Sequence, residues 1–150
     1  MAESFKLRIV SPRGLLYEDA EVSSLVAWGA EGKLEILPGH VRFITPLRIE
    51  EMRIRKGLGR RRQEERWAVS GGFLEVTPDL VTVTTTAAEA AEEIDVERAR
   101  QTRERALAFL KNGEGEGIGL TRARWSLRRS EIRLRVSTWR EAIEKEEKFR

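Results

Sequence analysis

The period of the sequence changes once, at Ala87-Ala88-Glu89-Ala90-Ala91-Glu92-Glu93. Before it, short runs at 5–9, 22–28, 33–37, 52–55, 66–69, 73–77 and 80–85 alternate apolar with polar residues or are rich in β-branched ones, and Gly, Pro or Asp punctuates them. Such runs are half-buried strands, and their close spacing predicts an antiparallel sandwich or barrel. Lys56-Gly57-Leu58-Gly59 reads as a hairpin turn, with Arg60-Arg61-Arg62 as its solvated tip. After the change, Ala, Glu, Leu and Arg dominate, which are strong helix formers. Asp95 offers an N-cap to a helix ending near Leu110, whose apolar stripe is Val96, Ala99, Ala106, Leu107 and Leu110. Asn112-Gly113 stops it, and a second helix from about Leu120 carries Leu120, Ala123, Leu127 and Leu134, with Trp125, Ile132 and Val136 to one side. The expected architecture is α+β, mainly β: a β-sandwich over 1–88, a two-helix antiparallel hairpin over 89–136 and a charged tail over 137–150.

With 150 residues, 40% of them hydrophobic, the chain can bury one core of ordinary size. It has no Cys, which excludes disulfides and thiolate metal sites. No apolar run approaches the ~20 residues of a membrane-spanning helix, and Met1-Ala2-Glu3-Ser4 lacks the regions of a signal peptide, so an unprocessed bacterial protein is expected. Charge is unequally shared. Up to Val96 there are 13 basic and 16 acidic residues, and beyond it 15 basic and 9 acidic, giving a second part of +6 that suits an anionic partner.

Catalytic chemistry is not visible. One His, no Cys and scattered carboxylates supply no nucleophile–base–orienter set, and no metal-ligand spacing. Gly113-Glu114-Gly115-Glu116-Gly117-Ile118-Gly119 follows a helix, carries acidic residues and lacks a following Gly-Lys-Ser/Thr, so it is a linker and not a phosphate loop. Ser70-Gly71-Gly72 lies between two strand-like runs, where its glycines provide a tight turn or a close backbone approach. His40, behind Pro38-Gly39, is a surface contact residue.

Three stretches then combine: Ile9-Val10-Ser11-Pro12-Arg13-Gly14 with Tyr17-Glu18-Asp19; Glu31-Gly32-Lys33-Leu34-Glu35-Ile36-Leu37-Pro38-Gly39-His40; and Ala68-Val69-Ser70-Gly71-Gly72-Phe73-Leu74-Glu75-Val76. Together they resemble the epsilon subunit of bacterial F-type ATP synthases, called delta in mitochondria, in order from Phe5 to about Val136. Glu35 stands where that family has Gly, Val41-Arg42-Phe43 lacks its Pro, and 53–66 is unusually basic. The resemblance implies a non-catalytic rotor subunit of the central stalk, a peripheral protein on the cytoplasmic face of the plasma membrane. It implies a sandwich bound to the gamma subunit and the c-ring through Glu31 and His40, reaching the membrane only through that ring. It implies helices that meet the alpha and beta subunits, with Arg122, Arg124, Arg128 and Arg135 against beta, and so brake ATP hydrolysis. It also implies a complex coupled to protons or sodium.

In some members of that family the folded hairpin binds ATP through Ile-Asp-x-x-Arg-Ala, which Ile94-Asp95-Val96-Glu97-Arg98-Ala99 matches. The other matching positions are Glu89, Arg105, Arg129 and Arg133. No cofactor is required on this reading, and ATP is a regulatory ligand. The alternative from the residues alone is a basic nucleic-acid-binding module whose arginines track phosphates, although no interleaved aromatic platform accompanies them.

Overall fold

Alternation puts one apolar set on a single face of each strand, and in the computed structural model, which describes residues 3–113 and 117–150, that face closes on itself. The strands are β1 (Phe5–Ser11), β2 (Gly14–Gly29), β3 (Gly32–Ile36), β4 (Phe43–Lys56), β5 (Gln63–Val76), β6 (Val81–Thr84) and β7 (Ala88–Ala90). Their order β1-β6-β5-β4-β2 returns to β1 through a β1–β2 pairing, so five strands form a ring, with β3 added to β2 and β7 to β5. The sandwich is therefore a closed barrel. Its pairings are antiparallel except that of β1 with β6. Leu7, Ile9, Val22, Leu25, Ile54, Leu74 and Val83 are wholly buried inside it, each worth roughly 1.5–3 kcal/mol of apolar transfer.

Three strands, β2, β4 and β5, run well past the sequence expectation. Pro46 and the Glu50-Glu51 pair interrupt the alternation of β4, yet its ladder with β5 runs from Phe43↔Val76 to Lys56↔Gln63. The irregularity falls on the other edge: between Gly29↔Leu47 and Val26↔Arg53, β4 spends three more residues than β2, a bulge that bends the strand. Ser70-Gly71-Gly72 does not separate two strands but lies within β5. There the strand passes from pairing with β7 through 67–69 to pairing with β6 through 73–76. Gly71 and Gly72 have φ of 77° and 115°, and a Cβ on Gly72 would collide with the Thr84 carbonyl. Close backbone approach is what these glycines provide.

The chain divides after Ala90 into two compact units. In the second, a 3-10 turn (Ala91–Glu93) leads to α1 (Val96–Lys111), and α2 (Ile118–Lys148) follows. Of the linker expected over 113–119, residues 114–116 lie outside those described, and α2 already begins at Ile118. The helix also runs through most of 137–150, the expected tail, where Glu, Lys, Ala and Arg are all helix formers. The apolar stripes differ in detail from expectation. Ala99 and Ala106 are buried on α1 while Leu107 is 39% exposed. On α2 the buried residues are Ser130, Ile132, Val136 and Ser137, and the expected leucines are only half-buried.

Candidate functional site

Glu31 is exposed in the turn joining β2 to β3, beside the Gly29↔Gly32 pair. Arg48 donates to the Ala30 carbonyl at 2.8 Å and fixes that turn to β4. His40 closes its own turn, its amide bonding the Leu37 carbonyl at 3.1 Å where Gly39 takes φ 82°. Its Nδ1 lies 2.8 Å from the Val41 carbonyl. A carbonyl can only accept, so Nδ1 is the donor in that contact. The ring meets Phe43 edge-on at 5.8 Å.

Around this turn the sequence reading missed an apolar surface. Leu37 (53%), Val41 (74%), Ile44 (66%) and Phe73 (54%) are all exposed, and the Ile44↔Glu75 and Pro46↔Phe73 pairings set Ile44 and Phe73 on the same outer face of β4 and β5. The signal was present at residues 43–46, where two bulky apolar residues are consecutive and cannot both face inward.

Within the basic stretch over 53–66, Arg53, Arg55 and Arg66 have acidic neighbours. Arg53 donates to Glu51 at 2.7 Å, Arg55 reaches Glu35 at 3.1 Å and Glu64 at 3.7 Å, and Arg66 approaches Glu51 at 3.6 Å. Trp28 lies between the Lys33 ammonium at 5.5 Å and the Arg53 guanidinium at 5.6 Å, a cation–π arrangement. Glu35, the departure from the family pattern, is thus a partner for Arg55. At the end of the barrel reached by Lys56, its ammonium bonds Asp19 at 2.7 Å. Burial alone would raise the Asp19 carboxyl, but the Lys56 bond and the Glu21 amide outweigh it and hold it below the usual range. Lys56 is raised, chiefly by its bond to Asp19. Tyr17 packs edge-on against Trp67 at 5.4 Å, and its hydroxyl is pushed well up by burial, with Glu65 and Asp19 adding.

The residues matched to nucleotide binding fall into both units. Glu89 is half-buried on β7 opposite Ala68. In the second unit, Ile94 and Ala99 are buried, and Asp95 caps α1 by accepting the Arg98 amide at 3.0 Å. Arg98 and Arg105 are exposed at one margin of the Ala99–Ala106 stripe. On α2 the arginines sort by angle. At about 100° per residue, Arg122, Arg129 and Arg133 share one stripe, while Arg124, Arg128 and Arg135 share another about 200–240° away. Arg129 and Arg133 are half-buried, whereas Arg122, Arg124, Arg128 and Arg135 are exposed. Arg122 therefore stands apart from the three residues it was grouped with and lines up with the nucleotide set. A phosphate at the Arg98–Arg129–Arg133 stripes would meet planar, permanently charged donors.

Among the described residues, no group of three or more His, Asp or Glu is placed to hold a metal ion, and no helix is long and apolar enough to cross a membrane.

Comparison with known proteins covers both units. Residues 4–91 match the family model for the ATP synthase delta/epsilon chain β-sandwich domain, and residues 92–138 match that for its long α-helix domain. The ATP synthase epsilon chain of Moorella thermoacetica is 44% identical over 134 residues, 89% of this chain and 96% of that one. That of Halalkalibacterium halodurans is 42% identical, over 87% of this chain and 95% of the relative. Among solved structures, a chain of the Euglena gracilis mitochondrial ATP synthase superposes with a TM-score of 0.73 at 21% identity, over 88% of this chain and 80% of that chain. This last likeness concerns the fold alone.

Proposed function

The chain belongs to the ATP synthase delta/epsilon family, whose epsilon chains are not the catalytic subunit, and from that premise we propose that it joins the gamma subunit to the c-ring and restrains ATP hydrolysis through its helices. The observation that carries the reading is the succession of both family domains across 4–138. The exposed apolar surface around His40, with Glu31 in a neighbouring turn, supports the c-ring contact: polar groups for orientation and apolar area for burial. The arginines facing outward on α2 support an acidic partner in the catalytic head, where complementary charge steers approach. On this reading the protein works at the cytoplasmic face of a bacterial membrane, held there by the complex.

ATP is proposed as the ligand of the folded hairpin, held by Arg98, Arg105, Arg129 and Arg133 with Ile94, Asp95 and Ala99 shaping the start of α1. What supports it is the intact Ile94-Asp95-x-x-Arg98-Ala99 order at a capped helix start, together with the Arg129–Arg133 pair one turn apart.

The experiment is to assemble the enzyme with the full chain and with residues 95–150 removed. Faster ATP hydrolysis by the truncated assembly, with the c-ring still attached, is the expected result. Equal rates would remove the brake, and loss of the c-ring from an assembly lacking the whole chain tests the link separately.

A further inference from the structure

The match to the family's helical domain ends at residue 138, but α2 goes on for ten residues to Lys148. Geometry makes those residues consequential. At 1.5 Å per residue, α1 is about 24 Å long and α2 about 46 Å, so a returning α2 overruns the start of α1. Arg140 is where this excess makes contact. Its guanidinium Nη1 donates to the main-chain carbonyl of Glu92 at 3.2 Å, across 48 residues of sequence. Its Nε lies 3.5 Å from Glu144 Oε1, one turn further along the same helix. Trp139 and Ile143 on either side of it are half-buried. The Glu92 carbonyl belongs to the 3-10 turn just before the Asp95 cap.

We propose that residues 139–148 are a latch: Arg140, oriented by Glu144, bonds the Glu92 carbonyl and ties the far end of α2 to the start of α1, so the hairpin stays closed without a ligand. A hairpin ending at residue 138 lacks this contact. The latched one must also break a charge-assisted bond before α2 can leave. The inference concerns the isolated chain and does not depend on the helices acting as a brake.

The sequence has no Cys, so spin labels at Glu97→Cys and Glu141→Cys report the closure of the full-length protein, alongside amide exchange of residues 92–99. With Arg140→Ala, the interspin distance is expected to broaden toward longer values, and exchange in the first turn of α1 to quicken about tenfold, as for loss of one charge-assisted hydrogen bond. Exchange in the barrel strands is the internal control and is expected to stay as in the parent. A chain ending after Thr138 should behave like Arg140→Ala, and Glu144→Gln should show a smaller effect in the same direction. Unchanged distances and unchanged exchange in both Arg140→Ala and the shortened chain would overturn the latch.

Discussion

The carbonyl oxygen of Thr84 stands where a Cβ on Gly72 would be, so β5 and β6 meet at a point that admits only hydrogen on the α-carbon. Gly72→Ala must push the two strands apart and also force alanine to φ near 115°. The expected loss is about 3–5 kcal/mol in urea unfolding, the range for backbone strain joined to overpacking. Gly14→Ala is the contrast. It has φ 109° but nothing within 4 Å of the new methyl, so it pays for conformation alone, about 1–2 kcal/mol.

The Asp19–Lys56 pair makes stability depend on pH at both extremes. Asp19 is depressed in the folded state, so its contribution is present above the carboxylate's unfolded pKa and disappears as pH falls through the folded one. Lys56 is raised, so its contribution is present below the unfolded lysine pKa and disappears as pH rises through the folded one. Asp19→Asn is expected to flatten the acid limb of a stability–pH profile, and Lys56→Met to flatten the alkaline limb, each costing about 1 kcal/mol at neutral pH. A profile unchanged in shape would disconnect the pair from stability.

Asp95 is bound to the Arg98 amide, and removing such a cap costs about 1 kcal/mol. Asp95→Ala should raise amide exchange in the first turn of α1, and Asp95→Ser should restore protection because a hydroxyl accepts the same bond. If Asp95→Ser recovers the helix but not ATP binding, the carboxylate has a role beyond the cap.

Titration calorimetry with Mg-ATP separates the two arginine stripes. Arg98→Ala and Arg129→Ala are each expected to weaken binding about tenfold or more, the cost of one charge-assisted phosphate contact. Arg124→Ala, on the other side of α2, is expected to leave it unchanged. Equal losses at all three positions would mean general attraction between ATP and a basic helix pair.

How far the sequence could be read depended on how local each determinant was. The strand periods, the Asp95 cap and the change near Ala87 are encoded within a few residues, and they gave the sandwich and the two helices. The joins were not local. Glycines 71 and 72 punctuate the sequence as a turn does, and only the arrival of Thr84 shows them to be the bend of one long strand. The continuity of β4 past Pro46 depends on β5, which carries its ladder while β2 does not. The site residues were assigned by resemblance, and their angular order along α2 was not considered. Spacing counted along α2 would have separated Arg122 from Arg124, Arg128 and Arg135, since helix angle follows from residue number alone. The contact from Arg140 to Glu92 spans 48 positions and leaves no periodic trace.

The parallel pairing of β1 with β6 has a consequence for synthesis. Leu7 finds its neighbour Val81 only after some seventy intervening residues have been made, and contacts of such separation are late and slow to form. Until β6 leaves the ribosome, β1 and β5 are two open edges of an unfinished ring, each able to pair with another nascent chain. A message truncated before Val81 should therefore yield aggregate, whereas one that reaches Ala90 encodes every strand the ring needs and leaves the helices to be added to a finished barrel.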